Sequence, residues 1–234
     1  MAKKIIKFIT LMTILTSLGS HSSTLAIQEW EVYDHTLEMC YPWYAKTFIA
    51  ELKNWNLSDW TIVEWRSTKY STAWLAKKCS QITTVEDLHP NLKNDTRKSS
   101  MQNLISKYHL KNVIYKQRNI ELKEIAHPIL GVSYTNPINQ LGLNSPYVNA
   151  ILETKELYDC IIIDGLHYNA CAKMALSRIK PNGIIIVNNC HRLTIGIDSS
   201  YIFELYKDFK HFSYYDPDTV DKRTDYWVAN YTIV

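Results

Sequence analysis

Side chains that could carry chemistry collect after two apolar segments in the C-terminal half of the chain. The first segment ends at residue 163 and the second at residue 187, and the side chains of interest are Asp164, His167, Asn188, Asn189, His191 and Arg192. Histidine has an ordinary pKa of about 6.5 and can take a proton from a reacting group, and the planar guanidinium of arginine can bind an anion. These residues predict a site for proton transfer and binding of a polar substrate; the alternative for His167, His191 and Arg192 is an ordinary exposed loop residue.

The order of elements around these residues predicts how they are positioned. Tyr158–Gly165 is short, apolar and β-branched, which is typical of a strand buried on both faces of a parallel sheet. Asn169–Ile179 has apolar residues at helical spacing, and a Lys-Pro-Asn-Gly turn separates it from a second strand at 184–187. Because parallel strands end at the same edge of a sheet, we expect Asp164 and the polar run after the second strand to share one rim.

The rest of the chain alternates in the same way between strand and helix patterns. Strands are predicted at 60–65, 81–86, 112–115 and 225–234, and helices at 42–55, 71–78, 91–109 and 147–157. This alternation predicts an α/β fold: a doubly wound, mostly parallel, Rossmann-like sheet with helices on both faces, in a single domain. The predicted organisation is a signal peptide at 1–26, an N-terminal helical lead-in at 27–59 and the α/β domain at 60–234.

Residues 1–26 have the composition of a secretory signal peptide. Lys3 and Lys4 precede a mostly apolar run at 8–18, and small residues end the segment at Ala26. This predicts a secreted, periplasmic or envelope protein, and the alternative is a membrane anchor formed by residues 5–20. No later apolar run reaches the length of about 20 residues that a span needs, so no stable membrane span is expected after removal of the signal.

The formal net charge of +3 comes entirely from the same N-terminal segment. Lys3, Lys4 and Lys7 are its charged residues, so the remainder of the chain is formally neutral. A nucleic-acid-binding protein is expected to have a basic surface. The charge therefore predicts no nucleic-acid partner and favours a small-molecule substrate.

The order of short motifs resembles that of the class I S-adenosylmethionine-dependent methyltransferases over about residues 40–234. The matching pieces are Glu64-Trp65 with Ser71-Thr72, Val85-Glu86, Ile163-Asp164-Gly165 with Cys171, Lys180-Pro181-Asn182-Gly183, and Asn188-Asn189. The resemblance implies an enzyme that uses S-adenosylmethionine to methylate a small-molecule or sugar-like acceptor.

The resemblance also implies which side chains bind the cofactor. Glu64 and the loop after it, including Ser67, would face the methionine part, and Glu86 would accept hydrogen bonds from the ribose hydroxyls. A carboxylate at a strand end suits two vicinal hydroxyls, as in dinucleotide-binding folds. The alternative for Glu86 is an acid at a helix N-terminus, where the helix dipole favours negative charge.

The residues assigned to the acceptor come from the C-terminal half. Asp164, His167 and His191 would surround the reacting group, and Asp164 would also contact the cofactor. Arg192 and Tyr147 would bind the substrate, the tyrosine as part of an aromatic wall.

Two metal sites are alternatives at the same rim. Metal-dependent methyltransferases of the catechol type hold Mg²⁺ at positions that match Asp164, Asn188 and Asn189, whose oxygens are suitable ligands although only one is a carboxylate. The nitrogen and sulfur atoms for a Zn²⁺ site would come from His167, Cys171, Cys190 and His191. Hydrogen bonding at the strand ends and packing of Cys171 on the helix explain these residues without metal, so no bound divalent metal is predicted.

Three departures from the family pattern keep a second function open. The family's glycine-rich loop is here Arg66-Ser67-Thr68-Lys69-Tyr70, which has no glycine to let the backbone approach a cofactor closely. Asn188 stands where the family has an aspartate, and a signal peptide would take the protein away from cytosolic S-adenosylmethionine. The alternative prediction is a catalytically inactive binding or interaction module with the methyltransferase fold, in the envelope or extracellular space.

Overall fold

The computed structural model of the chain describes residues 44–65, 69–88, 96–119, 143–189, 199–218 and 222–230. These residues all fall within one compact unit, Tyr41–Val234. The predicted signal peptide, most of the lead-in, and the site candidates Ser67, Cys190, His191 and Arg192 lie outside the described residues. Within the described ranges, no helix has the length and apolarity needed to cross a membrane.

The strands form one seven-stranded sheet. They are β1 (Thr61–Trp65), β2 (Gln81–Leu88), β3 (Val113–Asn119), β4 (Tyr158–Ile163), β5 (Ile179–Asn188), β6 (Lys210–Tyr215) and β7 (Arg223–Val228). Their order is β3-β2-β1-β4-β5-β7-β6; β1 to β5 run parallel, and β7 is antiparallel to both of its neighbours. The first five strands follow the order of dinucleotide-binding folds, with the reversal between β1 and β4. The predicted doubly wound, mostly parallel sheet is confirmed.

Helices cover both faces of this sheet. They are α1 (Lys46–Leu52), α2 (Lys69–Ala76), α3 (Arg97–Lys107), α4 (Pro146–Asn149) with a 3-10 turn at Ala150–Glu153, α5 (Tyr168–Ala175) and α6 (Ser199–Leu205). Successive residues of a strand point to opposite faces, which the neighbours Tyr226 and Trp227 illustrate. The ring of Phe48 in α1 lies 5.8 Å from that of Tyr226, and the ring of Tyr206, just after α6, lies 5.3 Å from that of Trp227.

The turn before β5 differs from its prediction. The helix predicted to reach Ile179 ends at Ala175, and Ile179 is already the first residue of β5. The pairing with β4 shifts between Tyr158 and Cys160, so the Lys-Pro-Asn-Gly segment bulges out of the strand instead of preceding it. Asn182 adopts a left-handed conformation with φ of 60°, and its N–H donates to the Ala229 carbonyl at 2.7 Å.

Two elements were not predicted from the sequence. Helix α6 is only seven residues long, and β6 is an edge strand whose side chains are exposed or half-buried. Neither has a long apolar run, because each has at most one face against the core. The predicted closing strand at 225–234 corresponds to β7, which begins earlier, at Arg223, and ends at Val228; residues 231–234 of the prediction lie outside the described residues.

We expect Gly183→Ala to lower the free energy of unfolding by about 1–3 kcal/mol, which is typical of overpacking. A Cβ at this position would lie 2.8 Å from Cδ1 of Ile179 and 2.9 Å from the carbonyl oxygen of Lys180. Urea denaturation measures the effect. The control is Lys155→Ala at an exposed site, which should change stability by less than about 0.5 kcal/mol; equal midpoints for the two variants would contradict the prediction.

A second prediction concerns Asp159, which lies near the amino ends of β1 and β4. Its carboxylate accepts hydrogen bonds from the Thr61 N–H at 2.7 Å and from Nζ of Lys180 at 2.8 Å. Burial alone would raise the pKa of Asp159, but these donors outweigh it and leave the pKa below its ordinary value. A carboxyl group with a lowered pKa in the folded state stabilises the fold at neutral pH, and this stabilisation is lost as the pH falls.

We therefore expect the stability advantage of the wild type over Asp159→Asn to shrink between about pH 5 and about pH 2. Urea midpoints measured across this range provide the check. The control is Ser58→Ala at an exposed position, which changes no ionisable group, so its difference from wild type should stay constant across the range. A constant difference for Asp159→Asn would show that the charge of this carboxylate does not contribute to stability.

Candidate functional site

Polar side chains from four parallel strands meet at one rim of the sheet. Glu64 lies near the end of β1, Glu86 near the end of β2, Asp164 directly after β4, and Asn188 at the end of β5. The amide nitrogen of Asn188 lies 3.0 Å from Oδ1 of Asp164. The two strand ends that the sequence placed side by side therefore do meet.

Glu64 is a buried carboxylate with hydroxyl partners. The residue is only 1% exposed. Its carboxylate accepts hydrogen bonds from Oγ of Ser71, at 3.3 Å, and from Oγ1 of Thr72. Both donors belong to α2, which follows β1. Glu64 thus ties the start of α2 to the sheet at the position where the methionine part of the cofactor was predicted to bind.

Tyr44, which the sequence did not single out, is a buried tyrosine influenced by the charges of two rim carboxylates. The residue is buried, and its ring packs edge-on against Phe48 of α1 at 5.6 Å. Burial raises the pKa of the Tyr44 hydroxyl well above its ordinary value, and the negative charges of Glu64 and Asp164 raise it further. The Tyr44 hydroxyl therefore stays neutral.

Glu86 is paired with an arginine from α3. Nη1 of Arg97 lies 3.1 Å from Oε1 of Glu86 and 3.0 Å from Oδ1 of Asp87, and Nη2 donates to the Asp87 carbonyl at 2.7 Å. The two acids are buried, whereas the Arg97 side chain is 30% exposed. A ribose bound at this strand end would share the Glu86 carboxylate with Arg97.

Asp164 ends a chain of hydrogen bonds that crosses the sheet. The Asn188 amide donates to it, Oγ1 of Thr224 in β7 donates to Oδ1 of Asn188 at 2.9 Å, and the Ala45 N–H donates to Oγ1 of Thr224 at 3.0 Å. Asn188 and Thr224 are both 0% exposed. This is the hydrogen-bonded network at the strand ends that was the alternative to a metal site.

The residues of the predicted magnesium alternative do not fit a cation. A bound Mg²⁺ needs oxygen atoms that converge on it, whereas Asn188 turns its nitrogen towards Asp164 and its oxygen towards Thr224. Asn189 has a left-handed backbone, with φ of 55°, and its N–H donates to the Arg223 carbonyl at 2.8 Å. No group of three or more histidine, cysteine, aspartate or glutamate side chains suited to a metal occurs in the described part of the chain.

The zinc alternative also loses a ligand. Cys171 is 0% exposed and belongs to the hydrophobic core, where burial raises the pKa of its thiol well above the ordinary value. Zinc binds the thiolate form, which such an environment disfavours. Cys171 therefore packs in the core, as its position on the apolar stripe of the helix indicated.

His167 and Tyr147 lie in different surroundings. His167 has a left-handed backbone, with φ of 55°, directly before α5, and its carbonyl accepts from the Cys171 N–H at 2.9 Å. Its role as a base stays a prediction. Tyr147 is 0% exposed in the core, and its carbonyl accepts from Nε1 of Trp65 at 3.0 Å. The tyrosine thus has a packing role, and a substrate contact stays a prediction.

Two solved structures with a similar fold are described as methyltransferases. A SAM-dependent O-methyltransferase from Thermotoga maritima matches with a TM-score of 0.50 and 11% identity, over 80% of this chain and 65% of that protein. A protein described as an rRNA methylase from Clostridium thermocellum matches with a TM-score of 0.50 and 10% identity, over 79% of this chain and 97% of that one. No family model and no curated protein sequence matches the chain. The chain therefore has the fold of the SAM-dependent methyltransferases, as its motif order predicted.

We expect Thr72→Val to lower the free energy of unfolding by about 1–3 kcal/mol, because a buried carboxylate would lose a hydrogen-bond donor that water cannot replace. The matched control is Thr47→Val, since the exposed hydroxyl of Thr47 donates to the Tyr215 carbonyl at a site open to solvent. Urea denaturation of both variants measures the difference. Equal losses would mean that the Thr72–Glu64 contact adds nothing specific.

Proposed function

We propose that the protein is an S-adenosylmethionine-dependent methyltransferase acting on a small-molecule or sugar-like acceptor. The observation that carries this proposal is the common rim of Glu64, Glu86 and Asp164 on a sheet with the methyltransferase fold. In open α/β sheets, ligands bind outside the carboxyl ends of the strands, next to the point where the strand order reverses. Here β1 and β4 flank that point and bring Glu64 and Asp164 to it.

The acidic rim suits the charge of the proposed cofactor. The sulfonium group of S-adenosylmethionine is positive and supplies an activated methyl group. Glu64 and the loop after it would hold the methionine part, and Glu86 would accept hydrogen bonds from the ribose hydroxyls. Asp164 would face the acceptor and orient its nucleophilic atom; alignment of the reacting atoms is the main requirement of such a transfer.

The proposed acceptor class and location follow from charge and from the N-terminal segment. With Lys3, Lys4 and Lys7 set aside, the chain is formally neutral, which favours a small molecule over a nucleic acid. The composition of residues 1–26 supports export to the envelope or the extracellular space.

One observation favours the second candidate, an inactive binding module with the same fold. The carboxylates of Glu86 and Asp87 are already paired with Arg97, and Glu64 already accepts two hydroxyl hydrogen bonds. An ion pair in the proposed ribose position would compete with the cofactor. The two candidates therefore differ in whether Arg97 shares Glu86 with a ligand or keeps it occupied.

Calorimetric titration of the full chain with S-adenosylmethionine tests the proposal. We expect saturable binding that Glu86→Gln weakens about tenfold or more, because hydrogen bonds to a charged acceptor contribute about 1.5–3 kcal/mol. The control is Glu153→Gln, which removes the carboxylate of another ion pair, that with Arg118, and should leave the affinity unchanged.

One result would contradict the enzyme and another the role of Glu86. Absence of heat with wild type at millimolar cofactor would leave the binding module as the better account, whereas equal affinities for wild type and Glu86→Gln would show that Glu86 does not bind the cofactor. Arg97→Met refines the first result, because binding that appears only in this variant would show that the Arg97 ion pair blocks the ribose position.

A further inference from the structure

The hydrogen-bond chain behind Asp164 has one favoured arrangement of its hydrogen atoms. The Ala45 N–H can only donate, so the oxygen of the Thr224 hydroxyl accepts from it at 3.0 Å. That hydroxyl has a single hydrogen atom, which it donates to Oδ1 of Asn188 at 2.9 Å. The amide nitrogen of Asn188 is then directed to Oδ1 of Asp164, at 3.0 Å.

The reverse orientation of the Asn188 amide is disfavoured. It would place the amide oxygen against a carboxylate oxygen of Asp164, two acceptors with no hydrogen atom between them. Asn188 and Thr224 are both 0% exposed, so water does not reach them to repair such a contact. The Asp164 carboxylate, together with the Thr224 hydroxyl, therefore determines which atom of Asn188 faces the rim.

We infer that the Ala45–Thr224–Asn188 relay positions the Asp164 carboxylate in place of a divalent cation, and that Thr224 is a positioning residue for Asp164. A cation between β4 and β5 would need an oxygen ligand from each strand, whereas β5 presents a nitrogen donor at this point. The amide N–H that donates to the carboxylate also presents positive charge to an incoming cation. The role of Asp164 towards an acceptor rests on the proposed function; the relay and its exclusion of metal do not.

The relay also makes the segment before α1 part of the rim. Ala45, the residue directly before α1, donates to Thr224 through its backbone N–H. Asp164 is thereby connected to two strands and to the chain that precedes α1.

Mn²⁺ titration of the full chain, followed by electron paramagnetic resonance, tests the exclusion of metal. We expect no saturable site in the wild type up to about 1 mM Mn²⁺, the range of weak protein sites for divalent cations. Asn188→Asp should gain one site bound at least tenfold more tightly, because two facing carboxylates repel each other until a cation or a proton lies between them. Asn182→Asp makes the same charge change at an exposed position and should bind like the wild type.

Two outcomes of the titration would overturn the inference. The first is a saturable Mn²⁺ site in the wild type that disappears in Asn188→Ala, which would make the rim a metal site. The second is a folded Asn188→Asp variant without Mn²⁺ binding, which would mean that the amide is not what keeps the ion out. The wild-type titration tests whether the rim excludes metal even if the Asn188→Asp variant does not fold.

The positioning role of Thr224 is tested with Thr224→Ser and Thr224→Val. Serine keeps the hydroxyl group and valine keeps the shape of the side chain. If Thr224 has only a packing role, serine should be the more damaging substitution; if the relay is correct, valine should be the more damaging one. The readout is hydrogen exchange of the Asn188 side-chain amide in ¹H–¹⁵N spectra, expected to be slow in wild type and Thr224→Ser and at least tenfold faster in Thr224→Val. Unchanged exchange in Thr224→Val would overturn the relay. Neither test uses the cofactor, so a failure of this inference can be distinguished from a failure to bind S-adenosylmethionine.

Discussion

The parallel pairing of β1 with β4 is the constraint on which the rim depends. Val63 pairs with Ile161 and Trp65 with Ile163, and all four residues are buried. A slip of one residue would turn Glu64 away from the hydroxyl groups of α2 and into the apolar face that contains Trp65. The buried carboxylate and its two donors therefore fix the register that sets Glu64 and Asp164 at neighbouring strand ends.

The parts of the fold that could be predicted are those with long apolar signals. Strand β4 and the second half of β5 are β-branched runs, and α5 has an apolar stripe, so their order and the meeting of Asp164 with Asn188 followed from the topology of parallel strands. Edge strand β6 and the seven-residue helix α6 have no such signal, because side chains that are half exposed are not constrained to be apolar.

The partners of the rim residues could not be predicted, because no local spacing relates them. Ala45 and Thr224 are 179 residues apart in the sequence, and Asn188 and Thr224 are 36 apart. Thr224 lies opposite Asn188 only because β7 inserts antiparallel between β5 and β6. Since β6 was not recognised from the sequence, the position of β7 in the sheet, and with it the identity of the residue behind Asn188, could not be derived.

The kind of hydrogen-bond donor beside each rim carboxylate determines how much of its negative charge is offset. The buried Glu64 accepts from hydroxyl groups and the half-buried Asp164 accepts from an amide, and these neutral donors do not cancel the charges of the carboxylates. Glu86 instead faces the positive guanidinium of Arg97, which offsets its charge locally. The uncancelled negative charge of the rim therefore lies mainly on Glu64 and Asp164, beside the strand-order reversal between β1 and β4, and Glu86 contributes hydrogen-bonding capacity more than charge.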